Sequence, residues 1–299
     1  MASCSTKPSI KQKKQHWRII EILKWGEEYF ASKGFESPKR EIEWLLVDLL
    51  SLPRIDLYLQ FDQLINSKDL VTLKSWIKRR LNHEPLQYIT GKTEFYGIPI
   101  KVNPHVLIPR PETERLVEIA LKLAEDIDAK EIVDVGTGSG CIAIALAANL
   151  KHVKILATDN SERALQVAQR NAEQNAVVKN IQFAKLDILT EDLEGPFDIL
   201  VSNPPYVRQD EVSTLMPEIR DYEPIGALTD GADGLDFYRR FAAIARKCVR
   251  EGGFLALEVG LNPHPQQVRE IFEEAGFEAI EFFKDYNGDD RVITIKITL

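Results

Sequence analysis

A short apolar segment followed at once by three closely spaced glycines limits the fold of this chain more than any other feature. Residues 132–135 have the composition of a buried strand, Gly136, Gly138 and Gly140 follow, and the next residues are rich in Ala, Ile and Leu. Glycines between a strand and a helix let a ligand approach the backbone at the helix N-terminus. The segment therefore predicts a strand, a ligand-binding loop and a helix of an α/β fold.

The alternation of strands and helices continues from about residue 110 to the C-terminus. Further apolar segments have the composition of buried strands: 155–158 before Asp159, 181–186 before Asp187, 197–202 and 254–259. Residues 279–283 and 292–298 flank an Asn-Gly turn and predict a terminal strand pair. We expect a Rossmann-like, doubly wound sheet of about seven strands, which binds its ligand at the carboxyl ends of the strands.

Three carboxylates near the glycine loop indicate the kind of cofactor. Asp134 can meet an amine, Asp159 can accept hydrogen bonds from both hydroxyls of a ribose, and Asp187 ends a strand near the expected place of an adenine. A nicotinamide fold prefers G-x-G-x-x-G, but Cys141 stands at the sixth position. Because carboxylates repel a pyrophosphate and attract a sulfonium or ammonium group, we predict S-adenosylmethionine as the cofactor. An ordinary turn carboxylate remains an alternative for Asp134 and Asp187.

The tetrapeptide Asn203-Pro204-Pro205-Tyr206 follows the strand predicted at 197–202. Its two prolines remove two N–H donors, which leaves the Asn203 side-chain oxygen and the Pro204 carbonyl as acceptors. Such a strand end can hold a planar –NH2 group by both hydrogens beside the flat ring of Tyr206, and an amide or an aromatic amine held in this way becomes a nucleophile. A simple turn is the alternative interpretation of the tetrapeptide.

The first 88 residues predict a small helical bundle, followed by a β-hairpin linker at 89–109 and the α/β domain at 110–299. Apolar residues recur at helical spacing before residue 88, and Ser37 and Ser67 are the expected N-caps of two of the helices. The bundle holds all four tryptophans of the chain, Trp17, Trp25, Trp44 and Trp76. We expect them to serve in core packing rather than as anchors for a partner.

Charge and cysteine content restrict the partners and the compartment. Residues 1–109 hold 17 Lys and Arg against 12 Asp and Glu, whereas the remainder holds 21 against 34. An acidic α/β half argues against a protein that binds duplex DNA. Three scattered cysteines favour a reducing compartment, and we expect a cytoplasmic monomer without a membrane span. Residues 1–15 are polar and basic, which is typical of a frayed tail, with a short targeting segment as the alternative.

Three further segments, taken with the tetrapeptide, resemble the PrmC/HemK family of methyltransferases. They are residues 84–91 (Glu-Pro-Leu-Gln-Tyr-Ile-Thr-Gly), 107–114 (Leu-Ile-Pro-Arg-Pro-Glu-Thr-Glu) and 252–260 (Gly-Gly-Phe-Leu-Ala-Leu-Glu-Val-Gly). The resemblance runs from about residue 80 to 299. It implies methylation of the side-chain amide (N5) of the glutamine in the Gly-Gly-Gln motif of class I peptide chain release factors, with the helical bundle contributing to release-factor docking.

The resemblance also implies the roles of individual residues. The cofactor would be held by Gly136, Thr137, Gly138, Ser139, Gly140, Asp159, Asp187, Ile188 and Asn203. Asn203, Pro204 and Tyr206 would be catalytic. The substrate would contact Asn203, Pro204, Pro205, Tyr206 and Arg110, and Arg110 with residues 112–114 would form a lip over the site. At the position of Ile188 some members carry an aromatic residue, so this chain offers only apolar packing there.

Two other functions are compatible with parts of the sequence. Adenine also presents a planar –NH2 group, so the tetrapeptide alone does not separate a glutamine methyltransferase from an adenine-N6 methyltransferase acting on DNA or RNA. The acidic α/β half and the lack of a basic insert argue against nucleic acid. A binding module that has lost its activity is the second alternative, and the complete glycine loop, Asp159 and the intact tetrapeptide argue against it.

Overall fold

A computed structural model describes residues 16–298 of the chain, which divide into two compact units after Thr90. The predicted tail at residues 1–15 lies outside the described residues. Within residues 16–298, each helix is too short or too polar to cross a lipid bilayer. Each unit has a hydrophobic core of its own.

The N-terminal unit is built mainly of helices. Its elements are β1 (Trp17–Arg18), α1 (Ile19–Ser32), α2 (Pro38–Leu50), α3 (Asp56–Leu59), β2 (Leu64–Ile65), α4 (Ser67–Arg80) and α5 (Leu86–Thr90). The two short strands pair in antiparallel fashion. Apolar residues of α1, α2 and α4 form the core between the helices. The predicted helical bundle is therefore present, with a strand pair that the sequence did not predict.

Close packing of α1 against α2 depends on Gly26. A Cβ atom at this position would lie 2.4 Å from Ile42 Cγ1, so only glycine allows this approach of the two helices. Beneath them a buried ion pair joins α2 to α4, with Arg80 Nε 2.6 Å from Glu41 Oε2. Charged groups can be buried here because each is paired and hydrogen-bonded.

The expected N-cap of α4 was wrong by one residue. Ser67 is the first helical residue, and the side-chain oxygen of Asn66 accepts a hydrogen bond of 2.8 Å from the Asp69 N–H. Asn and Ser are equally good N-caps, so composition alone does not decide between neighbouring candidates. Asn66 has the extended backbone that a cap requires, with φ −71° and ψ 160°.

The tryptophans lie at the border of the helical core rather than inside it. Trp25 is 39% exposed and stacks on Tyr29 with ring centroids 5.0 Å apart, and its other neighbour is the edge of Trp17. Trp17 and Trp76 pack against the core from its margin, and Trp44 is half-buried. The expectation of core packing holds for the contacts of Trp17 and Trp76, but none of the four is fully buried.

The second unit is an α/β sheet domain preceded by a hairpin. Its strands are β3 (Lys92–Phe95), β4 (Ile98–Lys101), β5 (Glu131–Val135), β6 (Lys154–Asp159), β7 (Ile181–Lys185), β8 (Phe197–Ser202), β9 (Val249–Glu258), β10 (Ile280–Lys284) and β11 (Asp290–Lys296). Its helices are α6 (Pro111–Asp126), α7 (Cys141–Asn149), α8 (Glu162–Gln174), α9 (Pro217–Arg220), α10 (Asp236–Cys248) and α11 (His264–Glu274).

Seven strands form the main sheet in the order β10-β11-β9-β8-β5-β6-β7, which confirms the predicted Rossmann-like architecture. Strands β5 to β9 are parallel, and β11 joins antiparallel between β9 and β10. Because β6 lies on one side of β5 and β8 on the other, the winding of the sheet reverses at β5. A crevice for ligands forms at such a reversal, outside the carboxyl ends of the strands.

Strand β9 starts at Val249, earlier than the start at residue 254 that the sequence predicts. Val249 pairs with Phe197, and the register of β9 against β8 shifts before Ile199 pairs with Phe254. Gly252 and Gly253 lie within this irregular stretch. Because glycine is unfavourable inside a strand, composition did not predict that the strand begins before them.

The β3–β4 hairpin falls within the second unit and packs on the sheet domain. Tyr96 and Gly97 at its turn have φ angles of 52° and 71°, as a two-residue turn of type I′ requires. The buried Asn171 of α8 exchanges two hydrogen bonds of 2.9 Å with the backbone of Lys101 and donates a third to the Ser139 carbonyl. The role of the hairpin as a linker stays a prediction.

Candidate active site

The glycine loop joins β5 to α7 at the centre of the sheet. Gly136, Gly138 and Gly140 have φ angles of 72°, 56° and 82°, in the left-handed region that favours glycine. A Cβ at Gly140 would also lie 3.0 Å from the Cβ of Ala168, so the third glycine lets α7 and α8 pack closely. The loop backbone is therefore open to a ligand at the N-terminus of α7.

Asp134 holds this loop from below. Its side chain is completely buried, and Oδ2 accepts hydrogen bonds from Thr137 Oγ1 at 2.7 Å and from the Ala143 N–H at 3.2 Å. Burial raises the pKa of Asp134 to about 7, against the opposing effect of these two hydrogen bonds. Its second oxygen, Oδ1, has no hydrogen-bond partner, so the carboxylate keeps acceptor capacity for a donor from a ligand.

Asp159 lies at the end of β6 and contacts the loop directly. Oδ2 accepts a hydrogen bond of 2.9 Å from the Gly138 N–H, and Oδ1 accepts one of 2.8 Å from the Ser161 N–H. Burial raises its pKa despite both hydrogen bonds. Each carboxylate oxygen retains a lone pair, so Asp159 fixes the loop and can still accept from a ligand.

Asp187 and Ile188 follow β7. The Asp187 side chain accepts a hydrogen bond of 3.1 Å from the Leu189 N–H, which organises the turn after the strand. Ile188 is 3% exposed, packs in the main core and borders the cleft. Arg240 of α10 donates from Nε to the Ile188 carbonyl at 2.7 Å, which holds this wall in place.

Asn203 comes directly after β8, on the other side of β5 from Asp159. Its Nδ2 donates a hydrogen bond of 3.1 Å to Oγ1 of Thr113, which lies in the first turn of α6 and is 2% exposed. With the nitrogen held by Thr113, the side-chain oxygen is the end of the amide that is left for a ligand. The role of this oxygen as an acceptor for a substrate amine stays a prediction.

Tyr206 is half-buried and is not among the residues that line the cleft, so a stacking role toward the substrate stays a prediction. Its hydroxyl donates to Glu258 Oε1 at 3.4 Å, and burial raises its pKa well above the ordinary value. Glycines surround it, since a Cβ at Gly234 would lie 2.4 Å from the Tyr206 carbonyl oxygen and one at Gly260 would lie 3.1 Å from Tyr206 Cδ2. The absence of side chains at Gly234 and Gly260 therefore allows Tyr206 to pack closely against both.

Glu258 ends β9 and is 1% exposed. Burial raises its pKa to about 7, while hydrogen bonding to Thr113, the charge of Arg291 and the Tyr206 hydroxyl act in the opposite direction. Its Oε2 has no hydrogen-bond partner. The carboxylate is therefore buried at the end of β9 with one oxygen unpaired.

Arg110 precedes α6 and pairs with Glu223 across the cleft entrance. The Nη2 to Oε1 distance is 2.7 Å, and the Glu223 side chain is almost completely buried. Of the predicted lip, Glu114 has a different contact: its Oε1 accepts a hydrogen bond of 2.7 Å from the Tyr96 N–H at the hairpin turn.

These elements enclose a cleft of about 330 Å³ at the carboxyl edge of the sheet. Of the predicted site residues, those that line it are Gly136, Thr137, Gly138, Ser139, Asp159, Asp187, Ile188, Asn203, Pro205 and Arg110. Gly140, Pro204 and Tyr206 are not among the lining residues. The carboxylates of the lining, with the unpartnered Oδ1 of Asp134 beneath it, suit a ligand that carries hydroxyl and ammonium groups.

Comparison with known proteins identifies the family. Residues 21–91 match the model of the PrmC N-terminal domain, and residues 114–219 match the methyltransferase small domain. The release factor glutamine methyltransferase of Geobacter sulfurreducens is 40% identical over 287 residues, which cover 94% of this chain and 98% of the relative. The chain belongs to the release factor glutamine methyltransferase family. The enzyme of that name from Chlorobaculum tepidum is also 40% identical, over 92% of this chain and 96% of its own.

Solved structures show that the fold of this family member is that of a wider group of methyltransferases. The catalytic domain of hMettl16 in complex with MAT2A 3′UTR hairpin 1 is 17% identical, covers 91% of each chain and has a TM-score of 0.57. The N-terminal domain of human METTL16 in complex with SAH is 19% identical, with a TM-score of 0.50 over 91% of this chain and 94% of its own. At this identity the likeness concerns the fold.

Sequence reasoning missed two residues of the site of this methyltransferase, Thr113 and Glu258. Both lie inside segments that carry the family resemblance, but neither has a spacing that indicates chemistry. The order and register of the strands identify Glu258. Because Ser202 pairs with Leu257, Asn203 and Glu258 follow at the same level of the neighbouring strands β8 and β9. Helix α6 packs on β8 and β9 and brings Thr113 to the same point.

Proposed function

We propose that this chain methylates the side-chain amide nitrogen of a glutamine in peptide chain release factors, with S-adenosylmethionine as the methyl donor. The observation that carries the proposal is the Asn203 side chain at the end of β8, which lines the glycine-loop cleft at the reversal point of the sheet. Membership of the release factor glutamine methyltransferase family supports the substrate. The glutamine of the Gly-Gly-Gln motif of class I release factors is the residue that the family resemblance implies.

The cofactor would be held along β5, β6 and β7. The open backbone of Gly136 and Gly138 would take its methionine and ribose part, Asp159 would accept from the ribose hydroxyls, and Asp187 with Ile188 would border the adenine. Thr137, Ser139 and Gly140 complete the loop. When bound, S-adenosylmethionine supplies an electrophilic methyl group on a positively charged sulfur.

The chain's own contribution to the chemistry is orientation of the amide nitrogen. A glutamine amide is a weak nucleophile because its nitrogen lone pair is delocalised into the carbonyl. Asn203 Oδ1 and the Pro204 carbonyl would accept its two N–H groups, return electron density to nitrogen and fix the direction of the lone pair. Orientation of this quality lowers barriers by roughly 7–11 kcal/mol in intramolecular models.

The same acceptors stabilise the charge that develops on nitrogen as it gains the methyl group. They act more strongly on the transition state than on the neutral amide, which is the condition for catalysis. The nitrogen becomes acidic only after methylation, so no strong base is needed beforehand. In agreement, the buried His264 is engaged at both ring nitrogens, with the Gly260 N–H at 3.2 Å and the Gly234 carbonyl at 3.2 Å.

Contacts to the substrate protein come from the rim of the cleft in this proposal. Pro205 and Arg110 line the cleft, and the Tyr206 hydroxyl donates to Glu258 at the end of the neighbouring strand. The helical N-terminal unit would dock the release factor. We further infer a cytoplasmic monomer that does not bind nucleic acid directly.

Mass spectrometry of a release factor tests the proposed function. The full-length protein is incubated with S-adenosylmethionine and a class I release factor, and adenine-containing DNA and RNA are treated in parallel with labelled cofactor. One added methyl group on the glutamine amide of the Gly-Gly-Gln peptide is the expected result. An unmodified glutamine with label in adenine would replace the proposed substrate by nucleic acid and leave the cofactor site unchanged.

A further inference from the structure

Aliphatic side chains border the part of the cleft that follows β7, where the proposed adenine site lies. Leu186 and Ile188 line the cleft at this point, and neither carries an aromatic ring. An adenine presents a flat π-face, and a flat aromatic side chain gains a stacking contact with it that a branched aliphatic side chain does not provide. An aromatic contact to the adenine would therefore have to come from another element of the sheet unit.

Phe237, the second residue of α10, lines the same cleft. Of the lining residues within the described part of the chain, it is the one that is Phe, Tyr or Trp. Phe237 is half-buried and packs against the main core, to which Ile188 also belongs. Its ring lies 6.5 Å from the ring of the buried Phe241, with the two planes at 50°. Half-burial leaves part of Phe237 open to a ligand in the cleft.

Hydrogen bonds of Arg240 hold α10 against the segment that follows β7. Residues three apart are neighbours on a helix surface, so Phe237 and Arg240 lie on the same face of α10. Arg240 donates from Nε to the Ile188 carbonyl at 2.7 Å and from Nη2 to the Glu191 carbonyl at 2.8 Å. The face of α10 that carries Phe237 is therefore the face that meets Ile188.

The turn that leads into α10 is also held by side-chain contacts. Asp230 Oδ2 accepts a hydrogen bond of 3.0 Å from the N–H of Asp236, the first residue of the helix. Its Oδ1 accepts from the Ala232 N–H at 2.7 Å and from the Gly234 N–H at 3.1 Å. The backbone just before Phe237 is thus fixed in advance, and a preorganised side chain costs a ligand little ordering on binding.

We propose that Phe237 is a cofactor-binding residue whose ring packs on the adenine of S-adenosylmethionine. With Ile188 it forms the adenine end of the cleft, and it supplies from α10 the aromatic ring that position 188 does not carry. Phe237 takes no part in methyl transfer itself. The inference deepens the cofactor part of the proposed function and rests on it, and it is independent of the substrate.

Titration calorimetry with S-adenosylhomocysteine, the product form of the cofactor, measures the contribution of the ring. Phe237→Ala should weaken binding by about fivefold to a hundredfold, the range of a base–aromatic contact. Phe237→Leu keeps apolar volume without the ring and should lose about threefold to tenfold. Phe237→Tyr keeps the ring and should bind within about twofold of the wild type. Phe254→Leu, a half-buried phenylalanine of β9 that is not a lining residue, is the matched control and should keep the wild-type affinity.

A shorter ligand shows at which end of the cofactor the affinity is lost. 5′-Methylthioadenosine retains the adenine and the ribose but has no amino acid end. Phe237→Leu should weaken its binding by the same factor as the binding of S-adenosylhomocysteine. A loss that is confined to S-adenosylhomocysteine would place the effect at the amino acid end and overturn the proposal.

Proton NMR of bound S-adenosylhomocysteine separates stacking from simple packing. The face of an aromatic ring moves the signals of the adenine H2 and H8 protons upfield, and this shift should shrink in Phe237→Leu and persist in Phe237→Tyr and Phe254→Leu. Thermal unfolding of each variant without ligand confirms that it is folded, and the Leu and Tyr variants suffice if Phe237→Ala does not fold.

The outcomes distinguish this inference from the rest of the proposed function. Wild-type affinity of Phe237→Leu for S-adenosylhomocysteine, or unchanged adenine signals in its complex, would overturn the role of Phe237 alone. A wild-type protein that does not bind S-adenosylhomocysteine would reject the cofactor site and this inference with it. The expected losses of affinity together with an unmethylated release factor would retain the role of Phe237 and reject the proposed substrate.

Discussion

At the scale of single residues, some polar atoms of the site hold the protein together and others remain free for a ligand. Asp134 and Asp159 each use oxygen atoms to hold the glycine loop, and Asn203 uses its nitrogen to hold Thr113. The atoms that remain able to accept a hydrogen bond from a ligand are oxygen atoms of these three side chains. Free acceptor atoms of this kind suit a cationic cofactor and an amide –NH2 group together.

Asn203→Ala should nearly abolish methylation. It removes an acceptor that acts mainly in the transition state, and loss of such a group costs about a hundredfold to a thousandfold in kcat. Cofactor affinity, measured by titration calorimetry, should stay within a few-fold of the wild type because Asp159 and the loop are unchanged. A variant that turns over at the wild-type rate would refute the role of Asn203.

Asp159→Ala should act on binding instead. The variant loses the hydrogen bond to the Gly138 N–H in the loop, the one to the Ser161 N–H before α8 and the proposed contact to the ribose. The affinity for S-adenosylmethionine should therefore fall by about tenfold to a hundredfold. Asp159→Asn, which keeps one acceptor oxygen, is the matched control and should lose less. If calorimetry gave wild type and Asp159→Ala the same affinity for S-adenosylmethionine, Asp159 would not contact the cofactor.

Glu258 should also make stability depend on pH. Its folded pKa of about 7 lies above the ordinary value of 4.5, so the folded state binds the proton more tightly than the unfolded state. The free energy of unfolding should therefore fall as pH rises from about 4.5 to 7 and then level off, with a contribution of about 3 kcal/mol from this group. Because Asp134 titrates in the same window, the test compares urea unfolding of wild type and Glu258→Gln at pH 5 and pH 8. An identical pH dependence of the two would contradict the assignment.

At the scale of elements, packing between helices and strands was only partly predictable. The strands β5, β6 and β8 and the glycine loop follow directly from apolar runs and glycine spacing. The N-cap of α4 is Asn66 rather than the predicted Ser67, because Asn66 has the extended backbone of a cap. Strand β9 starts at Val249 rather than at residue 254, because Val249 pairs with Phe197. Composition alone determines neither boundary. The places of Thr113 and Glu258 beside Asn203 depend on strand order, which a single sequence does not contain.

Gly26→Ala should destabilise the helical unit. The added methyl group would lie 2.4 Å from Ile42 Cγ1, and overpacking of a core typically costs about 1–3 kcal/mol. Thermal unfolding followed by circular dichroism should show the loss. Ile42→Ala in the same chain should relieve part of the clash, because of the three close contacts only the one with the Ile42 Cβ, at 2.8 Å, remains. If the double variant is no more stable than expected from adding the two single effects, the contact between α1 and α2 is not the cause.

At the scale of the whole molecule, each unit has its own core and its own task in the proposal. The helical unit, with its basic sequence, would meet the release factor, and the acidic sheet unit would hold the cofactor. Residues 91–299 produced alone should bind S-adenosylmethionine with the affinity of the full chain. Their KM for the release factor should rise about tenfold or more if docking is the task of the helical unit, and steady-state kinetics with a free Gly-Gly-Gln peptide as control should show no such rise.

The pairing of β9 on the edge of β8 has a consequence for synthesis of the chain. Thr113, Asn203 and Glu258 come from three distant parts of the sequence, and β8 keeps an unpaired edge until β9 has been made. Non-local pairings of this kind form late in folding. A nascent chain that has reached the tetrapeptide therefore lacks the Glu258 carboxylate, and in the proposed function competence for methyl transfer arises only after β9 has been made.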